Sequence, residues 1–385
     1  MMGDNNPQPS FYYNISLESF VPQDHPLRRI RPLINDGEIR RQCRPLYSDR
    51  GRPSIPPEQL FLCLVGGYLM GITSERRLVM ELQCNMALRW FVGLNIDQDA
   101  WDASTFSQNR RRRFDRAGIF EVFFDQTLKR AFDEGLVSDH VSGDGTLVRA
   151  NASFKSFVPI EVAMSPEEYK RKLREKDEND PEDPQDPGNR AVNFRGEKRS
   201  NDTHRSITDP DCRYVSKGSS GTGSYPGYTV NAVMENRNRF LVGMGVEVFH
   251  STSSERTGCL DLLRRARTRF RFNPSSFGGD KGFFESKFIE GLLKAGIEPH
   301  IAIDERWNGE AHQIVRRRRF GRPYRLSQRC RKKIEELFGE GKDWHGLRRF
   351  RRRGLLRVRE EAHLIGWVLN LKRLAKAMAP VISTA

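Results

Sequence analysis

The sequence predicts an α/β protein in which a mixed sheet flanked by helices follows a small all-helical domain. Three observations carry that reading. Residues 51–135 repeat apolar side chains at helical spacing almost throughout. From HVSGDGTLVRA onward, alternating and β-branched runs replace that pattern. The later runs fall in the order three strands, helix, strand, helix, strand, helix, which builds a layered sheet. At 385 residues the chain is long enough for two domains.

Residues 1–50 are polar and proline-bearing, an arm with one short amphipathic piece near residues 27–33. RPSIPPEQL opens a helix, with Pro56 and Pro57 tolerated in its first turn, and Leu60, Leu64 and Tyr68 continue it towards Gly71. ITSERRLVMELQCNMALRWFVGL supplies one or two more helices. DASTFSQN is an N-capped start, followed by the basic run Arg110–Arg113 and the amphipathic GIFEVFFDQTLKRAFDEG. Residues 51–135 therefore read as a helical N-terminal domain that binds DNA, with Arg110 and Arg111 expected on the nucleic acid.

Asp144 lies in the first strand. Residues from about 153 to 225 include EKDENDPEDPQDPGN and KGSSGTGS, tracts too charged and too rich in proline and glycine to bury a core, so a flexible insertion is expected. GYTVNAVME and FLVGMGVEVF form a hairpin across Asn236–Arg239. A helix (SERTGCLDLLRRARTRF), a short strand ending at Asp280, a helix (FESKFIEGLLKAG) and the strand EPHIAI follow. A basic loop then leads into a helix over RCRKKIEELFGEGK, residues 329–342. The last helix presents Leu364, Trp367, Val368 and Leu371 on one face, which packs on the sheet. The second domain spans 136–375 and leaves 376–385 as a tail.

Lysine plus arginine (65) exceeds aspartate plus glutamate (50), a net +15, which suits a polyanion such as nucleic acid. Between Arg316 and Arg359 stand 18 basic and 4 acidic residues, so nearly all the surplus surrounds the helix at 329–342. The six cysteines show no CxxC pairing and read as reduced thiols. No apolar run reaches 18 residues and no signal pattern opens the chain, so a soluble, intracellular protein without a membrane partner is expected. No nucleophilic Ser–His–Asp or Cys–His set and no phosphate-cradling glycine loop is readable, which argues against a nucleotide cofactor. His204 and His250 read as surface or hydrogen-bonded histidines, and His140, in the first strand with Asp144, has no role readable from sequence.

The carboxylates are placed differently. A mixed sheet in this order sets its first and fourth strands side by side, as in the ribonuclease H-like fold. Asp144 and Asp280, 136 positions apart, then become neighbours. The late helix lays Glu335 over them, on a stripe shared at 3.6 residues per turn with Arg331, Phe338 and Lys342. Singly, Asp144 in GDGT and Asp280 in GGDKG read as turn aspartates, and Glu335–Glu336 as a solvated helix face. As an ordered set they are three hard oxygen donors suited to Mg²⁺ or Mn²⁺.

Three motifs now resemble the DDE transposases of bacterial insertion sequences, the cut-and-paste group. DGTLVRANAS is similar to the family's first-strand motif, and GGDKGF to its second, with Gly282 and Phe283 after Asp280. Arg331, Glu335 and Lys342 match a signature of Tyr, two residues, Arg, three residues, Glu, six residues, Lys; Gln328 stands in the tyrosine position. IPPEQL and DASTFSQNRRRRF resemble the helical N-terminal domain of these enzymes. The resemblance implies that Asp144, Asp280 and Glu335 are catalytic and hold two Mg²⁺, with Mn²⁺ as a substitute. It implies cleavage at transposon ends and strand transfer into target DNA. Arg331 and Lys342 would clamp phosphates, and Arg316, Arg317, Arg318, Arg319, Arg348, Arg349, Arg351, Arg352 and Arg353 would track the backbone of double-stranded DNA, namely the terminal inverted repeats and the target. A homodimer in the synaptic complex and a bacterial cytoplasmic, nucleoid-associated location are implied as well. A nuclease or resolvase of the same fold, or an inactive DNA-binding repressor derived from a transposase, are the competing readings.

Overall fold

The computed structural model describes residues 16–51, 54–115, 117–160, 193–194, 197–216, 223–250 and 253–378. Most of the expected insertion and the end of the expected tail lie outside them. The chain parts into two compact units between Gln108 and Asn109.

The first unit holds helices α1 (Leu17–Phe20), α2 (Pro26–Ile30), α3 (Asp36–Cys43), α4 (Pro57–Leu69), α5 (Glu75–Cys84) and α6 (Met86–Val92). Its centre is α4, buried continuously from Leu60 to Tyr68. Gly66 and Gly67 let neighbours close on it: a Cβ at Gly66 would lie 2.7 Å from Leu88 Cδ1, and one at Gly67 would lie 2.6 Å from Leu78 Cδ1. From Ser16 onward the expected arm is instead part of this unit. Leu27, Ile30, Ile34, Ile39 and Cys43 are buried, and α3 packs on α4. Short helices broken by prolines hide such spacing from a periodicity window.

The boundary falls at the end of α7 (Ala103–Asn109), and the second unit opens with a wide turn over Arg110–Phe114 and then α8 (Ile119–Asp133). The sheet is built from β1 (His140–Arg149), β2 (Arg213–Val215), β3 (Tyr225–Glu235), β4 (Leu241–Glu247), β5 (Ser276–Gly279) and β6 (Glu298–Ile301), in the order β6–β5–β1–β3–β2 with β4 also on β3. The hairpin strands are antiparallel, whereas β1, β5 and β6 are parallel. This is the ribonuclease H-like arrangement that the order of elements predicts. The helices are α9 (Ser253–Phe270), α10 (Ser286–Lys294), α11 (Glu310–Arg318), α12 (Arg322–Trp344) and α13 (Leu355–Ala377). One core joins Val141, Val233 and Phe277 of the sheet to Cys259, Leu262 and Leu263 of α9 and to Phe288 and Leu292 of α10.

Two boundaries differ from expectation. The helical domain does not extend to 135, because α8 packs along α13. Phe123 stacks on Trp367 at 5.0 Å, Trp367 Nε1 donates to Thr127 Oγ1 at 2.9 Å, and the Phe120 amide donates to Glu360 at 3.1 Å. An amphipathic helix carries no label of the domain its apolar face will join. The expected insertion, too, contains built structure. Phe157–Pro159 pairs with His204–Ser206, β2 joins the main sheet, and Tyr214 stacks on Phe157 at 4.1 Å. Asp209 is fully buried, accepting hydrogen bonds from Tyr228 Oη at 2.6 Å and the Gly354 amide at 2.9 Å.

Candidate active site

Strand register brings the first two acids together. β1 and β5 run parallel with Ser142 opposite Gly278. Two residues further along each chain stand Asp144 and Asp280, on the same face by the period of two. Asp144 Oδ1 accepts from the Gly145 amide at 2.8 Å. Asp280 leaves the end of β5 and caps a short turn, its Oδ1 accepting from the Gly282 amide at 2.8 Å. Both groups are half-buried.

α12 crosses this face. It begins at Arg322 and thus extends two turns ahead of the segment expected from sequence. Its first turns are fastened to the strand ends: Tyr324 Oη donates to the Ile301 carbonyl at 2.8 Å, and Gln328 Nε2 donates to the carbonyls of His300 and, at 3.3 Å, Gly279. Gln328 therefore ties the helix to β5 and β6 beside Asp280. Gly278 permits the close approach, since a Cβ there would lie 2.8 Å from Ser327 Oγ and 3.1 Å from Ser142 Oγ. Ile334, Leu337 and Phe338 are buried beneath the helix. Glu335 is 59% exposed and accepts from Arg331 Nη1 at 3.1 Å, while Glu336 turns away to Arg239 at 2.8 Å. Lys342 Nζ donates to Thr146 Oγ1 at 2.5 Å, two residues beyond Asp144 on the same face of β1.

The electrostatics register the convergence. Burial pushes Asp144 up to about 7, and the Asp280 carboxylate is the next largest cause. Glu255 and Glu335 add to it, against the stabilising amide of Gly145. Like charges gathered in a half-buried cleft disfavour ionisation, and a divalent cation offsets that repulsion. Such an all-oxygen donor set fits Mg²⁺ or Mn²⁺ by its chemistry. Among the described residues no three His, Cys, Asp or Glu side chains stand close enough to hold one ion as they lie.

The basic residues divide into two groups. Arg317, Arg318 and Arg319 are exposed at the end of α11, and Arg348, Arg349, Arg351 and Arg353 are exposed on the loop beside the end of β1, as is Arg111. Three of the arginines expected on DNA turn inward to partners within the chain. Arg110 is 3% exposed, pairs with the buried Asp115 at 3.4 Å and lies over the Phe120 ring. Arg352 reaches the same Asp115 at 3.6 Å. Arg316 folds back onto the carbonyls of Asp304 at 3.3 Å and Trp307 at 2.8 Å. A run of arginines cannot reveal in sequence which of its members turns inward.

His140 bonds Ser276 Oγ at 2.8 Å and His204 bonds Thr203 Oγ1 at 2.8 Å, whereas the exposed His250 offers its amide to Ser254. None belongs to the carboxylate cleft. Glu255, in the first turn of α9, is the acid that sequence reading passed over, since nothing distinguishes it from any first-turn glutamate.

Two comparisons with protein families add to this geometry. Residues 15–112 match the family described as a transposase domain, and residues 192–371 match the transposase DDE domain. The chain belongs to the DDE transposases. It is an enzyme of DNA cleavage and strand transfer, and its family implies a divalent metal and a DNA substrate. The second match contains Asp280 and Glu335 but starts after Asp144, which the sheet alone brings to them. No curated protein and no solved structure matches the transposase. No helix among its described residues is long and apolar enough to cross a membrane.

Proposed function

We propose that this transposase cuts at the terminal inverted repeats of its element and transfers the ends into target DNA by cut-and-paste, with Asp144, Asp280 and Glu335 holding two Mg²⁺ ions or, in their place, Mn²⁺. The observation that carries the reading is the β1–β5 register, which sets Asp144 level with Asp280, whose carboxylate adds to the burial that raises Asp144. Bound there, the metals supply an activated oxygen nucleophile and support for the departing 3′-oxygen.

The chain's own residues do the rest. Asp144 and Asp280 sit on a rigid sheet and fix the site. Glu335, exposed on α12 and paired with Arg331, would hold metal beside them. The Arg331 guanidinium suits bidentate contact with a phosphate. Lys342, held over Thr146, offers a point charge to the phosphates of the element's ends. Arg111, Arg317–Arg319, Arg348, Arg349, Arg351 and Arg353 follow the DNA backbone without reading its sequence. The enzyme works as a homodimer that pairs two ends, in the cytoplasm at the nucleoid.

The test is Mg²⁺-dependent cleavage of DNA carrying an element end, wild type beside Glu335→Gln. Glutamine keeps the helix and the volume and removes the charge, so cleavage should fall by at least 100-fold, on the order of one lost metal ligand's contribution. Equal cutting by the two proteins refutes the site. Strand joining in the same reaction distinguishes a transposase from a nuclease of this fold.

A further inference from the structure

The first two turns of α9 lie close against the sheet. Asn231 Nδ2 on β3 donates to the Ser254 carbonyl at 3.2 Å. One turn later, a Cβ at Gly258 would lie 1.9 Å from that same amide nitrogen, so the helix lies as near the sheet as a glycine permits. Gly145 is the partner of Asn231 in the β1–β3 register, and a Cβ at Gly145 would lie 2.4 Å from Glu255 Cγ and 2.9 Å from its Oε1. By the strand alternation Gly145 faces away from Asp144, so the Glu255 carboxyl group lies on the α9 side of β1. Among the described residues β5 pairs with β1 only as far as Ser142, which leaves that edge of β1 open beside Asp144 and Gly145.

We propose that Glu255 is a fourth carboxylate of the metal-binding set, reaching the cation of Asp144 round the open edge of β1 beyond the end of β5. The inference rests on the reading of Asp144, Asp280 and Glu335 as metal ligands and adds a residue that this trio does not include. The glycine after Asp144 then has a definite task, because any side chain there would displace the carboxylate. The other reading of Glu255 is an acid that merely favours the N-terminal end of its helix. Such an acid needs neither the glycine beneath it nor a neighbouring aspartate.

The experiment is Mn²⁺ binding to the full-length protein without DNA, followed by electron paramagnetic resonance and calorimetry. Glu255→Gln should weaken Mn²⁺ by at least about tenfold, the loss typical of a group that supports a metal site. Glu336→Gln, whose carboxylate faces Arg239, should leave affinity unchanged. Glu255→Asp keeps the first-turn charge but withdraws the carboxylate by one methylene, and it too should lose affinity. If both Glu255 variants bind Mn²⁺ as the wild type does while Asp280→Asn is weakened, the fourth ligand is overturned and the trio stands. If Asp144→Asn and Asp280→Asn also bind normally, the trio and the fourth ligand fall together.

Discussion

Replacing Glu360 by glutamine should make the second unit more stable at pH 8 and change little at pH 4. Glu360 is 5% exposed on α13 and accepts the Phe120 amide at the start of α8. Burial, with the nearby carboxylates of Glu121 and Asp115, pushes its pKa up to about 7 from an ordinary 4.5. Between those values the folded chain keeps a proton that the unfolded chain has released. The stability this confers is complete below about pH 4.5 and is lost as pH rises through 7. At about 1.4 kcal/mol per pH unit, the cost of ionising Glu360 in place reaches about 3 kcal/mol at pH 8. Glutamine retains an oxygen for the Phe120 amide and cannot ionise. For a unit of this size that is a rise in melting temperature of roughly 6–12 °C at pH 8. Calorimetry at the two pH values, with hydrogen exchange at the Phe120 amide, reads the effect. A shift that is the same at pH 4 and pH 8, or a loss of stability at pH 8, would refute the assignment of a buried, proton-holding Glu360 that fastens α8 to α13.

Arg110→Ala should cost about 3–5 kcal/mol, because it strips the buried Asp115 of its nearer cation, whereas Arg111→Ala should leave the melting temperature unchanged. In DNA titrations against salt, Arg111→Ala should instead reduce the slope by about 0.9, the signature of one lost phosphate contact. Gly278→Val should abolish cleavage while leaving the first unit folded, since a branched side chain there pushes α12 off Ser142 and carries Glu335 away from the aspartates; limited proteolysis beside the cleavage assay separates the two effects. Gln328→Ala removes both carbonyl contacts at the ends of β5 and β6, so about 1–3 kcal/mol of stability and a disproportionate share of turnover should be lost, read by urea unfolding and single-turnover kinetics.

The order of strands and helices, the charge surplus and the spacing of Arg331, Glu335 and Lys342 are properties of the chain itself, and they were enough to name the fold and the family. Local pattern suffices there because hydrophobic period and helical spacing are set within a few residues. Which partner a surface meets is a long-range matter, and only packing decided it. The prolines near the start concealed a buried face, α8 joined α13 rather than the helices before it, and three arginines of basic runs turned inward to Asp115 and to carbonyl oxygens. Glu255 makes the same point at the cleft. Its residue type and position are unremarkable in sequence, and only the absence of a side chain at Gly145, on a strand over a hundred residues away, lets it lie against β1 at the residue after Asp144.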